Sequence, residues 1–350
     1  MNEILIDKCK IGNNFPIFLI AEAGVNHNGK ISLAKKLIDV AVEANVDAIK
    51  FQTFKTKEVF ITSTPKPQYQ ISNEKDKESF DEMARKFEFS EKDFKNLKKY
   101  CDDKGIIFLS TPYGASSVEL LESLNVPAFK ISSGDLNNYP LLKLIGSKNK
   151  PILLSTGMAT LKEVKETVSF LSKQGSKNLI IFQCTTNYPA EYEELNLNVI
   201  DTFLKEFQNY IIGFSDHSKG IEASIGAAAK GVKVIEKHFT LDKEMEGPDH
   251  QASLNPGELK EWVKSIRIIE KSLGTYSKFP TASEKNIAKI ARRSIVSLKD
   301  LNIGHVITIQ DIGVKRPGTG IPPKFFDDIV GKKVKNFIEN DTIITWDDLE

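Results

Sequence analysis

Two imidazoles offer the most chemistry in this chain. His238 ends the run Val234-Ile235-Glu236-Lys237-His238, and His217 stands in the matching run Ile211-Ile212-Gly213-Phe214-Ser215-Asp216-His217. Each follows a short, β-branched apolar stretch, as a side chain does at the exposed end of a buried strand. Neutral imidazole is the commonest protein ligand for divalent transition metals, so the pair suggests two ligands of one ion. Taken singly, each histidine reads more plainly as a satisfied surface or core residue. Only five histidines occur in 350 residues, and the neighbours of these two separate the readings.

Glu22 opens the segment Glu22-Ala23-Gly24-Val25-Asn26-His27-Asn28-Gly29 after another apolar run. A carboxylate there can orient a water or act as a general base. Asn28 and Gly29 suit a tight turn, and His27 fits either turn or site. Lys50 and Lys130 sit in otherwise apolar runs, where an ammonium is costly unless it meets an anion. With Ser132, Ser133, Ser155, Thr185 and Ser215 they suit a phosphate and a carboxylate, while a Schiff-base lysine is the competing role. Asp249, in Gly247-Pro248-Asp249-His250, is either a sugar-binding acid or part of a plain turn. Arg316 stands in a Gly- and Pro-rich loop, Lys315 to Pro323, that is either a surface turn or a donor to another subunit's site. Cys184 reads as a buried strand-end thiol.

The elements that must position these residues are legible as eight apolar runs: 17–20, 48–51, 106–109, 128–131, 152–154, 179–182, 211–214 and 232–235. Amphipathic helical stretches lie between them, the last from Glu258 to Leu273. Eight strand–helix units are the count of a closed parallel (β/α)8 barrel. An open doubly wound sheet fits the alternation too, but no glycine-rich dinucleotide fingerprint follows the first strand. All eight runs end in polar residues: Glu22, Lys50 with Gln52, Ser110 with Thr111, Lys130 with Ser132 and Ser133, Ser155 with Thr156, Thr185, His217 and His238. In a barrel these ends converge on one face, where active sites sit. The charged span Thr56–Glu91 reads as a long loop with a helix, placed to cover the site. Gly274–Thr281 reads as a linker, and short β-like runs follow from Ala291.

Composition narrows the class. Lys+Arg 48 against Asp+Glu 47 leaves a net charge of +1, which gives no electrostatic reason to expect nucleic acid or a membrane surface. No apolar run approaches the ~18 residues that span a bilayer. The start of the chain shows no secretory pattern. Three cysteines, Cys9, Cys101 and Cys184, are too few for a disulfide framework, and a cytoplasmic protein is expected.

Several of these motifs resemble a known family, the sialic acid synthases, which make N-acetylneuraminate or N,N'-diacetyllegionaminate. They are the Glu22–Gly29 segment, Lys50-Phe51-Gln52-Thr53-Phe54, Ser155-Thr156-Gly157-Met158 and Gly213–His217. Glu236 through Lys243, Gly247–His250 and Lys315–Gly318 complete the set, in the family's order and over nearly the whole chain. The resemblance implies a barrel over residues 1–275, a linker over 276–290 and a small antifreeze-like (SAF) domain over 291–350. It implies a domain-swapped homodimer and a condensation of phosphoenolpyruvate with an open-chain N-acetylated hexosamine. His217 and His238 would hold Mn2+, or a similar ion such as Mg2+ or Co2+, and Glu22 would act on the attacking water. Lys50, Lys130, Ser155, Thr185 and Ser215 would bind the phosphate, and Thr111 and Ser133 the carboxylate. Gln52, Asp135, Tyr188 and Asp249 would hold the sugar, with Arg316 arriving from the partner subunit. Two departures bear on the sugar. Ser132-Ser133-Gly134-Asp135 stands where many members have Pro-Ser-Gly-Glu, and Thr185-Thr186-Asn187-Tyr188-Pro189 where many have Asn-Thr-Glu-Tyr-Pro. N-acetylmannosamine is the first expectation, and 2,4-diacetamido-6-deoxymannose the alternative.

Overall fold

A computed structural model describes residues 3–61, 64–65 and 79–350. The chain divides into two compact units, Met1–Gly274 and Thr275–Glu350. The first opens with a hairpin that the apolar runs did not announce, β1 (Ile4–Ile6) and β2 (Cys9–Ile11). Then come eight strands: β3 (Phe18–Gly24), β4 (Ala48–Thr53), β5 (Ile107–Pro112), β6 (Phe129–Ile131), β7 (Ile152–Ser155), β8 (Leu179–Cys184), β9 (Ile211–Asp216) and β10 (Val234–His238). They form one parallel sheet in the order β5-β4-β3-β10-β9-β8-β7-β6. The two end strands, β5 and β6, lie side by side, so the sheet is a nearly closed (β/α)8 barrel.

Alternation along each strand decides which side chains enter the barrel. The inward positions begin apolar: Phe18 and Ile20, Ala48, Ile107 and Leu109, Leu153, Ile180 and Phe182, Ile211 and Val234 form one buried cluster. Ile4, Ile6 and Ile11 of the hairpin join that cluster and cap the barrel where the strands begin. The outward positions, such as Leu19, Ile49, Phe51, Phe108, Leu154, Ile181, Phe214 and Ile235, pack under the helices in a second, larger cluster. One such helix, Pro256–Leu273, starts with an Asn255 cap in a capping box with Glu258 and buries Leu259, Trp262, Val263 and Ile266. Two buried apolar faces per strand explain why the strands read as near-continuous hydrophobic runs.

The loop expected after the second barrel strand contains two helices, Thr56–Val59 and Phe80–Phe87. The charged stretch Ser72–Glu78 lies outside the described residues. The second unit holds β11 (Ser294–Ser297) antiparallel to β12 (Ile312–Lys315) and a core of its own around Ile295, Leu301, Ile307, Ile321 and Ile344. The span expected as a linker contains a helix, Ala282–Ala291, begun by a Thr281–Glu284 capping box. That Thr-x-x-Glu capping signal is present in the sequence, directly after a run of turn formers. No helix of the described residues is long and apolar enough to cross a membrane.

Candidate active site at the carboxyl ends of the strands

Two residues further along each inward row, the apolar layers give way to charge. Glu22, Lys50, Thr111, Lys130, Ser155, Ser215 and Glu236 are all buried and join into one network. Lys50 Nζ lies 2.7 Å from Glu22 Oε2 and 3.5 Å from Glu236 Oε1, and donates to Thr111 Oγ1 at 2.9 Å. Lys130 Nζ lies 3.4 Å from the same Glu236 oxygen and donates to Ser155 Oγ at 2.6 Å. Ser215 Oγ donates to Glu236 Oε1 at 3.3 Å. The lysines thus meet protein carboxylates, and Glu236 sits between them.

Burial and charge split the ionisations. Burial pushes the Glu22 carboxyl up to about 7, with the Lys50 ammonium only partly offsetting it. For Glu236 burial acts in the same direction, but Lys130 and Lys50 together hold its pKa below the usual value. Lys50 stays raised despite burial because Glu22 and Glu236 flank it. Lys130 is lowered by burial, with Glu236 only partly opposing. A poised carboxyl, a fixed carboxylate and two unequal ammoniums are what an acid–base site for anions requires.

The imidazoles crown this layer. Their ring centroids are 5.4 Å apart, and the Tyr188 ring packs at 4.1 Å from His217 and 5.4 Å from His238. His217 Nδ1 donates to the Thr185 carbonyl at 2.7 Å, so Nε2 is the nitrogen that carries the lone pair when the ring is neutral. His238 Nδ1 is buried with no hydrogen-bond partner among the described residues. Burial, then the cations around it, hold His238 neutral, well below its ordinary pKa. Burial alone would lower His217, but Cys184 and the Thr185 carbonyl hold its pKa above the ordinary value, so a divalent ion here would displace a proton from His217 and meet a free lone pair on the neutral His238. No group of three or more His, Cys, Asp or Glu among the described residues is arranged as a metal cage. Such an ion would therefore take its remaining ligands from water or substrate.

Gly24 lies among these groups in the left-handed region at φ +51°, beyond a register shift between Glu22 and Gly24 in the β3–β4 ladder. A Cβ there would stand 3.4 Å from His238 Cε1 and 3.5 Å from both Gln52 Nε2 and Glu22 Oε1. Gly24→Ala is expected to cost about 1–2 kcal/mol of stability through backbone strain. It should also lower kcat/KM about 10-fold or more by crowding the imidazole and the carboxyl. Denaturant titration and steady-state kinetics check the two effects, and unchanged kinetics would contradict this placement.

Beside His238 opens a cavity of about 200 Å3 lined by Gln52, Tyr188, Asp249, Tyr113 and a set of apolar side chains. Asp249 Oδ2 is 3.9 Å from His238 Nδ1, and burial raises its carboxyl to about 6. Its loop is fixed by His250, whose ring nitrogens lie 2.6 Å from Thr240 Oγ1 and 3.1 Å from Asn28 Oδ1.

Other expected residues go elsewhere. Thr185 turns its hydroxyl to the Glu194 carbonyl at 3.1 Å. Alternation along β8 sends Phe182 and Cys184 inward and Thr185 outward, so only its backbone carbonyl reaches the site. Asp135 accepts from Ser132 Oγ at 2.7 Å and Asn138 Nδ2 at 3.0 Å, within its own turn and away from the cavity lining. Ser110 bonds Thr53 on the outer face, and Thr156 donates to the Phe182 carbonyl. His27 is a structural residue: it accepts from Gly29 N at 3.0 Å and stacks on Phe89. Ser133 accepts from Gly157 N at 2.9 Å, beside Cys184. Arg316 is an exposed residue of the second unit.

Four residues of the site were given no role in it from sequence: Glu236, Cys184, Gly24 and Tyr113. Strand alternation was signal enough for Glu236, two residues before His238. Cys184 Sγ lies 3.8 Å from His217 Nδ1, a proximity that needs the β8–β9 pairing of Cys184 with Ser215.

Comparison with known proteins bears on this arrangement. The NeuB family model matches residues 37–278, and the SAF domain model matches residues 292–350. N,N'-diacetyllegionaminic acid synthase of Campylobacter jejuni is 44% identical over 93% of this chain and 98% of its own length. Human N-acetylneuraminate-9-phosphate synthase is 36% identical over 95% of this chain and 93% of its own. The crystal structure of N-acetylneuraminic acid (sialic acid) synthetase from Leptospira borgpetersenii, in complex with citrate, superposes with a TM-score of 0.73 at 36% identity. It covers 82% of this chain and 95% of that one. With these matches spanning both the barrel that carries the site and the small domain after it, the chain belongs to the NeuB family of enzymes and carries a SAF domain.

Proposed function

We propose that this enzyme condenses phosphoenolpyruvate with an open-chain N-acetylated hexosamine, giving a nonulosonic acid and phosphate, with a divalent ion held by His217 and His238. One observation carries the reading. The buried layer of Glu22, Lys50, Lys130 and Glu236 lies beneath the paired imidazoles of His217 and His238, beside a cavity lined by Gln52, Tyr188 and Asp249. N-acetylmannosamine is the expected sugar, and 2,4-diacetamido-6-deoxymannose the alternative; proteins similar to this chain are named for N-acetylneuraminic acid and for N,N'-diacetyllegionaminic acid.

The ion, when bound, supplies Lewis-acid polarisation of the sugar aldehyde. Lys50 and Lys130 attract the phosphate and carboxylate of phosphoenolpyruvate. Ser155, Ser215, Thr111 and Ser133 offer hydroxyls around it. Gln52, Tyr188 and Asp249 orient the sugar so that its C1 faces the enol carbon. As that carbon bonds to C1, water attacks C2 of phosphoenolpyruvate and the C2–O bond to phosphate breaks. Glu22 takes a proton from this water. The two protons of the water end on the new hydroxyl and on the departing phosphate. A Schiff-base aldolase fits less well, because Lys50 is held as an ammonium between two carboxylates and Lys130 beside one.

The second unit enters the reading as part of a domain-swapped homodimer, in which Arg316 of the partner subunit reaches the sugar's acyl group. Helix Ala282–Ala291 has no buried residue and exposes Ile287 and Ile290, apolar surface available to a partner. Arg316→Ala should raise KM for the sugar about 10-fold or more and change KM for phosphoenolpyruvate little. Equal loss of both would contradict the assignment. The activity itself is tested by incubating the protein with phosphoenolpyruvate, Mn2+ and a panel of hexosamines. Phosphate and a 2-keto acid should appear in equal amounts, and no phosphate release with any sugar would reject the reading.

A further inference from the structure

We propose that Asp216 and Lys237 are positioning residues, whose buried ion pair on the outer face of the barrel clamps together the strand ends that present His217 and His238. The clamp sets how well the two imidazoles can share one divalent ion. The inference rests on the two-imidazole reading above and gives a role to two residues that do not face the site.

The pair interrupts an apolar face. Phe214 of β9 and Ile235 of β10 are cross-strand partners packed under the helices. Two residues further along the same outward row, Asp216 is the register partner of Lys237. Lys237 Nζ lies 3.0 Å from Asp216 Oδ2, and both side chains are fully enclosed. Taking two charges out of water is costly, and apolar side chains of similar size often stabilise a fold as well or better. What the pair adds is a fixed, directional connection. Asp216 Oδ1 accepts from Ser218 N at 2.9 Å and from Ser218 Oγ at 2.6 Å. Its Oδ2 accepts from Ser224 Oγ at 2.6 Å, on helix Glu222–Ala229. Lys237 Nζ also donates to the Ser218 carbonyl at 2.8 Å. The ammonium on β10 therefore grips the chain on both sides of His217.

Each clamped residue is the chain neighbour of an imidazole. The His217 ring has an anchor of its own in the Thr185 carbonyl. His238 Nδ1 is buried without a hydrogen-bond partner among the described residues, so the aim of that ring is set by its backbone and by the packing of Tyr188. The β9–β10 ladder ends at Asp216 and Lys237, and the histidines follow directly. The Lys237 side chain then joins the two strand ends where the ladder stops. Charge alone predicts the opposite consequence for the ion. An ammonium one residue from His238 repels a bound cation, so its removal should tighten binding if only the field counted. Removal of a clamp should loosen it, and the sign separates the two.

The test is Mn2+ binding to the full-length protein, read from the free-ion signal in electron paramagnetic resonance. It compares the wild type with Lys237→Met and with the double variant Asp216→Asn/Lys237→Met. Both variants should bind Mn2+ about 10- to 100-fold more weakly, the range by which loss of a contact supporting a metal ligand lowers affinity. The double variant removes one charge of each sign, so its loss reports geometry at constant net charge. It leaves no buried charge without its partner, and it carries the test if Lys237→Met does not fold. In kinetics, the Mn2+ concentration for half-maximal rate should rise by the same factor, while KM for phosphoenolpyruvate stays in place. Leu171→Ala, a buried truncation in helix Leu161–Lys173, controls for lowered stability and should bind Mn2+ as the wild type does. Unchanged or tighter Mn2+ binding in the variants would overturn this inference and leave the condensation reading standing, as would equal weakening in Leu171→Ala. No Mn2+ binding by the wild type would overturn the ion held by the two histidines, and this inference with it.

Discussion

Replacement of His238 by alanine is expected to abolish high-affinity Mn2+ binding and to lower kcat about 1,000-fold or more. A divalent ion polarising a carbonyl supplies several kcal/mol of transition-state stabilisation, and each 1.36 kcal/mol is tenfold in rate. The site has two imidazoles and no third protein ligand arranged with them among the described residues, so loss of one leaves little to hold the ion. Binding can be read without turnover, from the signal of free Mn2+ in electron paramagnetic resonance as protein is added. The fold should survive, because the His238 side chain makes no hydrogen bond among the described residues whose loss would strand a partner. Wild-type Mn2+ affinity in the variant would contradict the assignment. His217→Ala should behave alike, with an added penalty from the Thr185 carbonyl left without its donor.

Glu22→Gln is expected to lower kcat by about 100- to 10,000-fold, the range that positioned acid–base groups contribute. The amide keeps the size of the side chain and an oxygen for Lys50, but cannot accept the water's proton. Removal of a negative charge 2.7 Å from Lys50 frees that ammonium for an anion, so phosphoenolpyruvate should bind as tightly or more tightly. Lys50 retains Glu236 at 3.5 Å, and the protein should remain folded. A fall in kcat with undiminished phosphoenolpyruvate affinity separates a proton-handling role from a binding role. An unchanged kcat would contradict the role given to Glu22.

The barrel was legible in the sequence because both faces of its strands are buried, and each strand announces itself as a short apolar run. The hairpin at residues 4–11 was not, since two three-residue strands, Ile4–Ile6 and Cys9–Ile11, are too short to carry a period that local reading can detect. Within the site, what was read and what was missed divide along strand alternation. Counting by two from the apolar layer leads to Glu22, Lys50, Thr111, Lys130, Ser155, Ser215, Glu236 and His238, and leaves Ser110, Thr156 and Thr185 on the outer face. Grouping every polar residue at a strand end as one cluster placed Thr185 in the site and passed over Glu236. Asp135 and His27 lie in turns, where alternation has lapsed and only the local hydrogen bonds show that their polar atoms are already engaged. The apolar wall of the cavity beside His238 could not be read at all, because it joins a segment near residue 54 to a helix near residue 87 across a long charged stretch.

The central claim is that water attacks the carbon of phosphoenolpyruvate while a sugar aldehyde takes up its enol carbon. It is tested most directly with phosphoenolpyruvate carrying oxygen-18 in the bridging C–O–P position, together with Mn2+ and an accepted hexosamine. Phosphate should be released only when the sugar is present, and all of it should carry the label, because the bond that breaks is C2–O. Unlabelled phosphate, or phosphate released without the sugar, would contradict the account.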